Sequence, residues 1–101
     1  MQRLVEQLAD EGDVLEGRRR HGRALYHLSV YQQFSEAADE PLPAHFEVEG
    51  RLTPVDDLDF GDLHRRRVEL TLHLADGRLL DFSMANDEGA IRSTARRLYS
   101  Q

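Results

Sequence analysis

From Ala24 onward the chain alternates apolar and polar residues with a period of two, and this pattern does most to restrict what it can fold into. Ala24, Tyr26, Leu28 and Val30 fall on one face of an extended segment, with Leu25, His27, Ser29, Tyr31 and Gln33 on the other. Phe46, Val48 and Leu52 form a second inward row against His45, Glu47, Glu49 and Arg51, with Gly50 interrupting it as an expected bulge. Val68, Leu70, Leu72 and Leu74 form a third, and Leu80, Phe82 and Met84 a fourth. Strand side chains alternate between faces, so each row is the buried half of a half-buried strand.

The connection between the third and fourth rows is fixed by register. A two-residue Asp76-Gly77 turn would set Leu72 against Asp81 and mix the faces. A three-residue Ala75-Asp76-Gly77 loop with Gly77 left-handed pairs Leu72 with Leu80 and Leu70 with Phe82. A one-residue slip turns a whole strand over, so the longer loop is expected.

The two ends of the chain are less regular. Leu4, Val5 and Leu8, spaced by three and four, predict a short N-terminal helix ending near Gly12. Asp13 to Glu16 fits a short first strand that turns through Gly17 to Gly22. After Asn86-Asp87-Glu88-Gly89 the segment 90–99 is open between two forms. A hairpin would place Met84 opposite Arg92, whereas a helix would gather Ile91, Ala95 and Leu98 with Arg96 and Arg97 in its last turn. The expected class is mainly β within α+β: one domain over residues 1–101, an antiparallel meander of about four to six strands, curled or barrel-like. A short N-terminal helix precedes it, and the C-terminal segment is either a helix or a final strand.

Composition narrows the functional classes. Apolar residues make up 40% of 101, enough for one modest core and too many for a disordered chain. There is no Cys, which removes disulfides, thiol nucleophiles and Cys-based metal centres. No apolar run approaches the roughly 20 residues of a membrane-spanning helix, and the start MQRLVEQLADEG has no basic-then-apolar leader pattern. A cytoplasmic protein without a membrane partner is expected. All 13 basic residues are Arg, and the net charge of -6 argues against nucleic acid as a partner. Phosphate-loop, GxGxxG, HExxH, GxSxG and CxxC motifs are all absent.

One constellation remains. In an up-and-down meander the Gly17–Gly22 loop, the Thr53–Leu63 loop and the Asn86–Gly89 turn share an end of the sheet. That end receives Arg18, Arg19, Arg20 and His21, then His64, Arg65, Arg66 and Arg67, together with Asp56, Asp57, Asp59, Asp62, Asp87 and Glu88. Guanidinium forks in that number form an anion pocket unless the carboxylates neutralise them, which is the plainer expectation. Leu58, Phe60, Leu25, Tyr31 and Leu79 are apolar at loop or polar-face positions and are candidates for a partner contact. Asp57 to Asp62 begins like a calcium loop but has Val68 where a bidentate Glu is needed. His27, His73, Glu47 and Glu49 share the polar face, yet their spacing matches no zinc signature, so neither a metal nor a cofactor is expected.

The function set first is a small protein-interaction or regulatory module, homodimeric through a sheet face or edge. A binder of an anionic ligand such as phosphate or a nucleotide at the Arg-rich end comes second. A small enzyme using His27 or His73 with a carboxylate comes last, because so short a chain leaves little room for a deep pocket.

Overall fold

Period-two patterning extends over more of the chain than the four rows alone. A computed structural model describes residues 2–35, 42–94 and 98–100. The strands are β1 (Gln2–Glu16), β2 (Arg19–Ser35), β3 (Leu42–Pro54), β4 (Leu70–His73), β5 (Arg78–Met84), β6 (Ala90–Ser93) and β7 (Tyr99–Ser100), with one helix, α1 (Phe60–Arg66), between β3 and β4. The order β4-β1-β2-β3-β6-β5 closes on itself because β4 also pairs with β5, giving a six-stranded antiparallel barrel. The seventh strand, β7, lies on β5 beyond β6.

Two meanders build this barrel, β1-β2-β3 and β4-β5-β6. They join at two short seams: Asp13, Val14 and Leu15 on β1 pair with His73, Leu72 and Thr71, and Glu49, Gly50 and Arg51 on β3 pair with Arg92, Ile91 and Ala90. The first meander is far longer than its seams. Its remainder projects as a three-stranded arm, which gives the molecule extents of 50 × 28 × 21 Å and a radius of gyration of 14.4 Å. A compact chain of this length has about 13 Å.

The inward rows meet inside the barrel. Val14, Leu28, Leu52, Leu70, Leu72, Leu80 and Phe82 are fully buried, and Tyr26, Val48, Leu63, Leu74 and Ile91 complete the interior. Each such side chain contributes about 1.5–3 kcal/mol of apolar burial. The Tyr26 hydroxyl accepts from the Ala75 amide at 3.0 Å, tying the β4–β5 loop beneath β2. That loop has the expected three residues: Leu70 pairs with Phe82, Leu72 with Leu80, and Gly77 has φ +91. The inward placement expected for Phe46 lies outside the described side chains.

Four expectations need correction. The N-terminal segment is a strand, not a helix. Gln2 to Glu16 pairs along β2, and Leu4 and Val5 are 46% and 45% exposed where a helix would have packed them inward. A helix of this length is marginal without a packed face, whereas β2 offers it a full-length hydrogen-bonding partner. The connection into β2 is a two-residue turn of Gly17 and Arg18, with Gly17 at φ +61, so Arg19, Arg20 and His21 belong to a strand. No bulge occurs at Gly50: Leu28–Gly50–Ile91 is an unbroken register, and a Cβ at Gly50 would press into the His27 carbonyl and the Leu28 side chain. Gly is there because three backbones converge.

The fourth correction is to the hairpin register of the C-terminal segment, where the strand alternative holds over Ala90–Ser93. The connecting loop holds four residues, Asn86 to Gly89, closed by a bond from the Ala85 amide to the Ala90 carbonyl at 2.8 Å. Met84 therefore faces Ile91 and not Arg92, and Ile91 enters the core. The Asn86 side-chain oxygen accepts from the Glu88 and Ala90 amides at 2.8 and 3.1 Å, which shapes the turn. Ala95, Arg96 and Arg97 lie outside the described residues, and Leu98 packs half-buried against the core.

Candidate functional site

The expected Arg-rich end exists, and it is largely neutralised. Arg20 bonds Asp13 at 3.0 Å and Asp56 at 3.3 Å, and Arg23 bonds Glu11 and Asp13 at 2.9 and 3.1 Å. Arg66 reaches Glu16 at 3.2 Å and Asp62 at 2.9 Å, Arg65 lies 3.7 Å from Asp62, and His21 bonds Glu16 at 2.9 Å. The loops are thus brought to one end as expected, but the two Arg tracts do not form one pocket. The cleft beside Arg19, Arg20 and His21 is about 200 Å³ and is also lined by Asp57, Asp59 and Asp62. Its own carboxylates compete with any anion.

These ion pairs set a pH dependence. Hydrogen bonding to Arg20, opposed by partial desolvation and helped by the Arg23 charge, holds the Asp13 carboxyl below its ordinary 3.8. Hydrogen bonds from Arg66 and then His21 lower Glu16, and those from Arg78 lower Asp76. A carboxyl whose pKa is lower when folded binds fewer protons than in the unfolded chain. Its stabilisation is therefore present above the ordinary carboxylate range and is lost as pH falls through the folded values. Urea midpoints measured downward from neutral pH should stay level and then decline below about pH 4, with a smaller decline in added salt because the pairs are half-exposed. A flat profile to full protonation would show that the pairs contribute nothing.

The polar-face histidines lie apart. His27 lies across from Arg51 on the outer face of β2, while His73 pairs with Asp13 at the opposite seam. Neither His makes a hydrogen bond to a carboxylate, and no group of three metal-type ligands exists among the described residues. Asp59 caps α1 by accepting from the Asp62 amide at 3.0 Å, which accounts for the calcium-like Asp spacing as a helix start.

The five apolar contact candidates divide. Phe60 and Leu79 are buried in the chain, and Leu58 is partly buried against the core. Apolar loop residues next to an open barrel end gain more by closing it than by facing water. Tyr31 is half-buried on the outer face of the arm, and Leu25 is 50% exposed on the outer face of β2 nearer the barrel. The exposed Leu4 and Val5, at the tip of the same arm, were masked in the sequence by their helical spacing.

A second basic cleft joins two of the expected residues, His64 and Arg67, to Ser83 and Arg92, which no local pattern singled out. It measures about 310 Å³ and is lined by His64, Arg67, Ser83, Met84, Ala85 and Arg92, with no carboxylate. It shares Ala85 and Arg92 with a larger groove of about 560 Å³ on the outer face of β2, β3 and β6. No helix among the described residues is long and apolar enough to cross a membrane. Compared with known proteins, the chain matches no family model, no curated protein and no solved structure at a significant level.

Proposed function

We propose that this chain is a self-associating interaction module in which two copies join edge to edge through β1. The observation that carries the reading is the open edge of the arm: β1 is flanked by β4 at Asp13, Val14 and Leu15, so among the described residues the segment 2–12 has a strand neighbour on one side only. Such an edge is a template for another strand unless charge, Pro or a covering segment blocks it. This one carries no Pro, its charged residues are of both signs (Arg3 against Glu6, Asp10 and Glu11), and it ends in the exposed Leu4 and Val5. Its Glu6 is engaged within the chain by both guanidinium nitrogens of Arg78, at 3.0 and 3.1 Å.

The edge is self-complementary. Val5 is the extra residue of a bulge between Leu4 and Glu6, so faces change phase there. An antiparallel pairing about a two-fold axis at Gln7, skipping Val5, sets Leu4 beside the partner's Ala9 and Arg3 beside the partner's Asp10. The two members of each pair share a face, and the second pair joins opposite charges, the arrangement that favours a cross-strand pair.

Light scattering should give a solution mass twice the 11.6 kDa of one chain. Replacing Leu4 and Val5 together by Lys should yield a folded monomer, while Leu25→Lys, on the face of an internal strand, should leave the dimer intact. A monomeric wild type at high concentration would overturn the proposal. So would dissociation by Leu25→Lys with the edge variant still dimeric.

A further inference from the structure

The arginines among the described residues divide into those held by carboxylates and those that are not. Arg20, Arg23, Arg65, Arg66 and Arg78 each have a carboxylate partner within 4 Å. Arg67 and Arg92 have none among the described residues, and they line the same cleft together with His64 and the hydroxyl-bearing Ser83. They come from different elements. His64 lies in α1 and Arg67 caps it, whereas Ser83 and Arg92 are direct neighbours across the β5–β6 ladder. Glu49 faces Arg92 across the β3–β6 ladder without forming an ion pair.

Arg67 carries a second mark. It is the one non-glycine residue with positive φ among the described residues, at φ 52 and ψ 41, and its amide closes the helix on the His64 carbonyl at 3.2 Å. This left-handed cap position favours Gly, and a long side chain there is held at an energetic cost. Complementing the helix dipole would explain basic residues at this end of α1. It does not explain Arg92, which arrives from a strand, nor the lack of a carboxylate in the cleft's own lining. Two guanidinium groups and an imidazole that form no ion pair among the described residues are an arrangement that a dianion would satisfy through charge-assisted, bidentate bonds.

The geometry points to a binding site for a phosphomonoester, with its phosphate between Arg67 and Arg92 and its organic part in the adjoining groove. Arg92 belongs to both spaces, and beyond it the groove offers Val48, Ile91, His27 and Tyr31, while Glu47 and Glu49 also line it and restrict the phosphate itself to the cleft. A pocket with convergent polar groups at one end and apolar and aromatic surface at the other suits a ligand of that split character. Pairing through β1 would leave the site open, since the groove lies on β2, β3 and β6. The inference stands independently of self-association.

Amide chemical shifts of the full chain, followed during titration with adenosine 5′-monophosphate, inorganic phosphate and adenosine, test it. The monophosphate should shift residues 64–67, 83–85 and 91–93 and bind more tightly than phosphate, while adenosine alone should bind far more weakly. Arg92→Gln and Arg67→Gln should each weaken binding by about tenfold or more. Arg67→Gly should do the same while raising the melting temperature, because it removes the backbone cost along with the guanidinium. Replacing Arg18 and Arg19 by Gln should change affinity little. No shifts with either phosphate compound, or an equal loss from the Arg18 and Arg19 replacement, would overturn the site. Phosphate binding as tightly as the monophosphate would overturn the role of the groove.

Discussion

Phe82→Ala should destabilise the barrel by about 3–5 kcal/mol, out of a total of only about 5–15 for a domain of this kind. Phe82 is the largest of the fully buried side chains. It lies on β5, pairing with Leu70 of β4 on one side and Ser93 of β6 on the other, so it fills the interior where the second meander is held together. Neighbouring side chains are themselves in strands and cannot collapse far into the space left behind. Guanidinium unfolding followed by circular dichroism would measure the loss. Leu25→Ala, at a half-exposed site outside the core, should change stability by no more than about 0.5 kcal/mol. A Phe82→Ala loss below about 1 kcal/mol would mean that the barrel interior is not close-packed.

Gly89→Ala should cost about 2–4 kcal/mol, from two sources acting together. Gly89 has φ +112, a region that L side chains rarely adopt. Its carbonyl accepts the Leu52 amide at 2.8 Å, and a Cβ built there would be driven into the Leu52 carbonyl oxygen. Leu52 is on β3, so the clash falls beside the short seam that joins the two meanders. Gly17→Ala separates the two contributions. Gly17 also has positive φ, at +61, but open space surrounds its missing Cβ, so only the backbone cost of about 1–2 kcal/mol should appear. Equal losses at the two sites would show that the seam adjusts without strain.

The positions of these residues explain what could be read locally. Leu70, Leu72, Leu80 and Phe82 sit on two strands joined by three residues, so face-matching alone fixed their register. At the next hairpin the same reasoning failed by one residue. A loop of four, held by the Asn86 side chain, replaced the loop of three that would have opposed Met84 and Arg92. The Leu4–Val5–Leu8 spacing fits a helix face as well as an edge strand, and only the length of β2 decides between them. Charge clusters divide in a way that contiguity in the chain does not show. The triple-Arg tract at 65–67 is contiguous, yet Arg66 turns to Glu16 and Asp62 while Arg67 turns to the cleft.

By itself, the sequence determined the antiparallel mainly-β class, the identity of most of the interior and the β4–β5 turn. These follow from side-chain alternation and loop length, which are properties of neighbouring residues. Only the tertiary structure decided that the sheet closes, that β1 and β3 outrun their seams to leave an arm, and that Arg67, Ser83 and Arg92 share a cleft. Closure depends on two three-pair seams between segments far apart in the chain. Their register is set by how the whole sheet twists and which core residues meet, and no local period carries that information.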